Sequence, residues 1–314
     1  MTPSTDPRIQ SLVAHIGPAI MSKLHDPNVM EIILNPDGNL WVEEFGSPMK
    51  QFGTMSVTQA SLVLKTIAGF HDTIVNADKP ILECELPIDG SRFEGLIPPV
   101  TIAPAFTIRK KAVKIFTLTE YVESHTLSKP QYSALLNAIA SHKNILIVGG
   151  TGSGKTTFAN ALIDAMVNHD KNERIVMIED TNELQCIAPN FVALRANAVT
   201  TMNHLLRATL RLRPDRILVG EVRGGEALSL LKAWNTGHPG GVATIHADSA
   251  VMGLSRLEDC ISEATATLNK TLIANAINVI VFIKKTREGR RIEEIIEVTG
   301  FETGQYHTRA IRGD

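Results

Sequence analysis

Apolar and polar positions change their spacing along the chain, and the changes divide it. Over 9–24 apolar residues recur at helical intervals, "VMEIILNPDGNLWVEEFG" (29–46) reads as strand, turn and strand, and 57–70 reads as a second helix. Ser56 and Gln59 form a capping box at the start of that helix. "ILECELPIDGSRFEGLIPPV" (81–100) alternates about Asp89-Gly90, a hairpin signal, and "FTIRKK" (106–111) adds a strand. Together these elements predict a small α+β domain over 1–115. Periodicity is weak over 116–129, which predicts a linker, and Ser128 with Pro130 marks the next helix start.

From Pro130 the pattern becomes helices alternating with short apolar runs at 144–148, 174–179, 216–220 and 242–246. Such alternation predicts a mostly parallel sheet with helices on both faces, over a domain of 130–314. Catalytic groups are then expected at the carboxyl ends of the strands. The closing segment, from Asn278 to Ile311, reads as antiparallel strands with Glu288-Gly289 in a turn.

Between the first apolar run and its helix lies "GGTGSGKTT" (149–157), which fits G-x-x-x-x-G-K-[ST] in the strand, loop and helix order that the motif requires. Glycines let backbone N–H groups turn inward around a phosphate, and the helix start adds its positive end. Gly150, Thr151, Gly152, Ser153, Gly154, Lys155, Thr156 and Thr157 are the candidate nucleotide-binding residues. Lys155 is expected to reach the β- and γ-phosphates of ATP, and Thr156 to offer its hydroxyl to Mg²⁺.

Each later strand ends in polar groups. "RIVMIEDTNEL" supplies Glu179, Asp180 and Glu183, "RILVGEVRGGEA" supplies Glu221 and Arg223, and "GHPGGVATIHADS" supplies His238 and His246. Nucleotide hydrolysis needs a metal held near the phosphates, a group that orients water, and positive charge on the transferred phosphoryl. Carboxylates beside a buried sheet are costly without such a purpose or a partner. The two histidines match no metal-ligand spacing, and His246 taken alone reads better as a satisfied core histidine than as a phosphate contact. Arg207 and Arg211 are spaced to share a helix face, with Arg213 just before Pro214.

Composition sets bounds on this picture. A length of 314 residues allows two domains with cores of their own. No apolar run approaches the roughly 18 residues of a bilayer span, and the opening "MTPSTDPRIQ" lacks a secretory pattern, so a cytosolic setting is expected. Cys84, Cys186 and Cys260 lack C-x-x-C spacing and suggest neither disulfides nor zinc. A net charge of −2 gives no general attraction for nucleic acid, although "RKKAVK" (109–114) is a local basic cluster.

In order and rough spacing, "GGTGSGKTT", "MIEDTNEL", "ILVGEVRGGEA" and "GHPGGVATIHADS" resemble the Walker A motif, Asp box, Walker B motif and His box of the secretion ATPases, the hexameric motors of type II and type IV secretion and type IV pili. The short N-terminal region and the absence of a four-cysteine insertion look most like the conjugation branch, the TrbB-type traffic ATPases of type IV secretion; a Tad-type pilus ATPase would carry a longer extension. The resemblance implies a RecA-like P-loop domain preceded by a PAS-like α+β domain. It implies a water-orienting role for Glu179 and makes Glu221 the acid that holds Mg²⁺, with the division between the two open. The Walker B strand ends "ILVGE", with glycine where many ATPases have aspartate. His246 gains a role, and Arg92 and Arg109 match the arginines that approach the γ-phosphate from the N-terminal domain. A homohexamer is implied, peripheral to the inner membrane through secretion-channel or coupling proteins.

Other classes fit less well. A small-molecule kinase would show a lid rich in arginines, and a GTPase an N-K-x-D motif where "NKTL" at 269 lacks the aspartate. A DNA translocase would need aromatic stacking platforms, which are sparse here. A third alternative is a scaffold that binds ATP and signals without turnover.

Overall fold

The computed structural model describes residues 6–44, 47–110, 115–197, 199–286 and 289–311. Phe45 and Gly46, residues 111–114 of the basic cluster, and Glu288 of the expected turn lie outside the described residues. The fold is mixed α/β, in two compact units of 1–114 and 115–314.

In the first unit the elements are α1 (Pro7–His25), β1 (Val29–Leu34), β2 (Asn39–Glu44), β3 (Lys50–Thr54), α2 (Val57–Phe70), β4 (Ile81–Glu85), β5 (Arg92–Leu96) and β6 (Ala105–Arg109). The strands form an antiparallel sheet in the order β3-β2-β1-β6-β5-β4. Alternation along β5 and β6 puts Phe93 and Ile108 into a core with Leu12, Ile16, Leu64 and Ile67 of the helices. Arg92 and Arg109 are register partners on the opposite face. Strand β3 has no apolar alternation and was not legible in the sequence.

The second unit contains α3 (Leu118–Glu123), α4 (Lys129–Ala140), β7 (Ile145–Val148), α5 (Lys155–His169), β8 (Ile175–Glu179), β9 (Phe191–Arg195), α6 (Met202–Thr209), β10 (Arg216–Val219), α7 (Glu226–Asn235), β11 (Val242–Ile245), α8 (Ala250–Ser262), α9 (Lys270–Ala276), β12 (Val279–Thr286), β13 (Gly289–Glu302) and β14 (Gln305–Ala310). Its sheet runs β14-β13-β12-β7-β11-β10-β8-β9, parallel from β12 to β9 and antiparallel at β13 and β14. Every residue of β7, β8, β10 and β11 is buried because helices cover both faces. One apolar layer holds α3, α4 and α5, the other α7, α8 and α9.

The structure departs from two expectations. Residues 116–129 are no simple linker: Thr117 and Glu120 form a capping box for α3, and Leu118, Tyr121 and Leu127 are buried in the second unit's core. A six-residue helix is too short to display helical periodicity in the sequence. Arg207 and Arg211 do not share a helix face, since α6 ends at Thr209 and Arg211 lies beyond it.

The amino ends of the central strands are tied by a buried ion pair. Arg216, fully buried at the start of β10, donates from Nε and Nη2 to Glu173 just before β8, from Nη1 to the Gly240 carbonyl at 3.0 Å and from Nη2 to the Ile139 carbonyl at 3.1 Å. Glu173 Oε1 also lies 2.6 Å from His142 Nε2. Asn144 continues the seam, its Oδ1 accepting the N–H groups of Gly240 at 2.8 Å and Gly241 at 3.0 Å. Removing one partner of a buried pair strands the other charge, at a cost of about 3–5 kcal/mol. Arg216→Met is expected to lower unfolding stability by that order in urea titration; an unchanged midpoint would show that the pair does not hold the sheet.

Candidate nucleotide-hydrolysis site

The phosphate loop joins β7 to α5 at the carboxyl edge of the parallel strands. Gly154 caps α5 with φ 100°, and Gly152 has φ 67°, backbone states that favour glycine. A β-carbon on Gly149 would lie 2.4 Å from the Ile283 carbonyl oxygen, so β12 closes one side of the loop, while Gly150 and Gly152 face open space. Ser153 Oγ is buried with no hydrogen-bond partner among the described residues. A glycine cradle, an open side and an inward hydroxyl suit a phosphate. Thr156 and Thr157 occupy the first turn of α5.

Lys155 is buried and donates from Nζ to the carbonyls of Gly149 and Gly150, both at 2.9 Å. The same ammonium lies 3.2 Å from Nδ1 of His246, which follows β11. His246 Nε2 is 2.9 Å from Glu221 Oε1, beyond the end of β10. Arg223 Nη2 donates to Glu221 Oε2 at 2.7 Å, and its Nη1 to Asp180 Oδ2 after β8. One chain of charged and polar groups thus crosses the ends of four adjacent strands. Burial, then the Lys155 charge, push His246 below the usual imidazole range, which keeps the ring neutral at pH 7.

Glu179 ends β8 and is 4% exposed. Its Oε1 accepts the N–H groups of Glu183 at 3.0 Å and Leu184 at 2.8 Å. Burial outweighs those two bonds and pushes its carboxyl up to about 7. A β-carbon on Gly220 would meet Glu179 Cγ at 2.9 Å and Oε1 at 3.2 Å. The glycine in place of the usual Walker B aspartate therefore gives the Glu179 side chain its space.

Of the residues singled out in the sequence, Lys155, His246 and Glu221 share one hydrogen-bonded chain, and Glu179 stands beside Gly220, the neighbour of Glu221. Arg92 and Arg109 are brought to each other within the first unit, where Arg109 Nε lies 3.8 Å from Glu31 Oε1. His238 precedes β11, at the opposite end of that strand from His246, and is not part of the chain. Arg223 and Asp180, strand-end groups to which the sequence assigns no role, join the chain as well, and the signal for them is the arginine two places after Glu221.

Residues 16–298 match the family model described as Type II/IV secretion system protein. The chain belongs to the type II/IV secretion system protein family. It is 45% identical over 300 residues to the conjugal transfer protein TrbB of Rhizobium radiobacter, covering 96% of this chain and 93% of that one. Identity to a probable TrbB of Sinorhizobium fredii is 47% over 298 residues, covering 95% and 92%. Among solved structures, the Legionella pneumophila ATPase DotB shares the fold with a TM-score of 0.64 at 19% identity, over 87% of this chain and 77% of that one. This secretion ATPase hydrolyses ATP, and the phosphate-loop motif lies in its second unit.

Glu221 and Thr156 carry oxygen donors of the kind that a hard cation takes alongside substrate phosphates. Among the described residues no group of three or more His, Cys, Asp or Glu side chains could hold a metal unaided. The Gly220 contact supplies a test of the geometry. Gly220→Ala is expected to displace Glu179 and cut the ATPase turnover number by about 10²-fold, with nucleotide affinity largely kept, because misplacement by an ångström costs that much. Wild-type turnover in that variant would remove Glu179 from the site.

Proposed function

We propose that this chain is a homohexameric ATPase of the conjugation branch of type IV secretion, whose ATP hydrolysis powers assembly of the machine or transfer through it. The observation that carries the reading is the polar chain from Lys155 through His246 and Glu221 to Arg223, at the end of the sheet that bears the phosphate loop. Identity of 45–47% to conjugal transfer proteins along nearly the whole chain supports the branch. The second unit takes the RecA-like role and the first the PAS-like role. No helix among the described residues is long and apolar enough to cross a membrane, and the ring is proposed to lie at the cytoplasmic side of the inner membrane against channel or coupling proteins.

Within the site, Gly150 to Thr157 wrap the phosphates, and Lys155 exchanges its carbonyl bonds for the β- and γ-phosphates. Mg²⁺, when bound, would neutralise charge on the phosphate oxygens, held by Thr156 and, through water, by Glu221. Glu179, with a proton affinity near neutral pH, orients and deprotonates the attacking water, which suits a general base. His246 couples Lys155 to Glu221, so it registers whether the lysine is engaged by phosphate.

Arg92 and Arg109, side by side on one sheet face, are proposed to complete the site as arginine fingers in the assembled ring. An arginine inserted onto the γ-phosphate contributes on the order of 10³ to 10⁵ in rate. Specific activity is therefore expected to fall as dilution dissociates the ring. Arg92→Ala and Arg109→Ala should each lose turnover while keeping oligomeric state and ATP affinity, with Lys155→Ala as the inactive reference. Full activity in a dilute monomer, or normal turnover in both arginine variants, contradicts the assignment.

A further inference from the structure

The hairpin of β12 and β13 backs the phosphate loop, yet no motif points to it. Ile283 of β12 reaches the loop at both ends: a β-carbon on Gly149 would meet Ile283 Cγ2 at 3.3 Å, and one on Gly154 would meet Ile283 Cδ1 at 3.6 Å. The nearest group to Gly154 is Arg290 of β13, whose Cδ would lie 2.8 Å and Nε 3.0 Å from that β-carbon. Arg290 Nε is shielded from solvent. Its charge also acts on the buried Tyr121 phenol, which stacks edge-on against Phe158 of α5 at 5.2 Å.

Strand register explains why this arginine faces the loop. Ile283 pairs with Ile292 and Lys285 with Arg290, so all four share one face of the sheet, the face that packs on α5 through Ile283, Ile292 and Phe158. The stretch 284–291, "KKTREGRR", holds five basic residues against one acid, with Lys284 opposite Arg291 and Lys285 opposite Arg290.

We propose that Arg290 is a nucleotide-binding residue of this ATPase, a second cation on the phosphate loop that engages the α- and β-phosphates. Gly154 opens α5, where backbone N–H groups cradle those two phosphates, whereas Lys155 with His246 and Glu221 serves the γ end. An arginine beside Gly154 therefore binds ADP as firmly as ATP and leaves the hydrolysis chemistry to the groups across the sheet. This role rests on the loop being the nucleotide site.

The test is titration of ADP and ATP into the full-length wild-type protein and into Arg290→Met, Arg290→Lys and Lys155→Ala. Methionine keeps an apolar stem against Gly154 and removes the charge. Loss of a charge-assisted contact is expected to weaken ADP and ATP alike by about tenfold or more in Arg290→Met, with affinity partly restored in Arg290→Lys. In the wild-type chain, saturating ADP should also slow phenylglyoxal modification of Arg290, a readout that needs no variant to fold. ADP affinity in Arg290→Met equal to wild type, a loss confined to ATP, or modification of Arg290 indifferent to ADP would each overturn the assignment while Lys155→Ala still confirmed the loop. Failure of the wild-type protein to bind either nucleotide would overturn the functional reading and this inference together.

Discussion

The site depends on one close packing contact, the Glu179 side chain lying where a β-carbon of residue 220 would be. A carboxyl group at the end of a strand buried at every position has little water to stabilise its charge, and two backbone N–H groups offset only part of that loss. The result is a carboxyl pushed up to about 7, packed against Gly220 at the end of β8. This contact needs β8 and β10 in fixed register, and their opposite ends are fixed by the buried pair of Arg216 and Glu173. Structural and chemical charges thus occupy opposite edges of the same two strands.

The remaining polar groups form a series in which each member conditions the next. Lys155 is satisfied by the carbonyls of Gly149 and Gly150, so a phosphate must compete for it. His246 touches that lysine on one side and Glu221 on the other, and its neutral ring allows it to bridge a cation and a carboxylate. Arg223 holds Glu221 toward Asp180, keeping two acids of neighbouring strands together against their mutual repulsion. In the proposed scheme this is how occupancy of the loop is felt at Glu221.

Much of the second unit was legible in the sequence because parallel strands buried on both faces leave continuous apolar runs, and the phosphate loop follows the first of them. The groups at the strand ends could be named for the same reason. Less legible were β9, an edge strand with no fully buried position, and α3, too short to show a period. The close approach of Glu179 to Gly220 was hidden because the two belong to different strands, and the sequence shows only that an aspartate is missing. Arg290 lies 136 positions after Gly154 and is brought to it by the sheet order alone. Arg92 and Arg109 rested on resemblance, and the fold of the first unit adds that they are register partners on one face.

The central claim is that burial at the end of β8 tunes Glu179 for proton transfer. The most direct measurement is the pH dependence of the ATPase turnover number at saturating ATP and Mg²⁺ between pH 5 and 9. Protonation of Glu179 removes the base, so turnover should fall as pH drops through about 7, the value to which burial raises this carboxyl. A turnover number that stays flat from pH 9 down to pH 5, as a carboxyl at its ordinary value of 4.5 would give, would contradict the account.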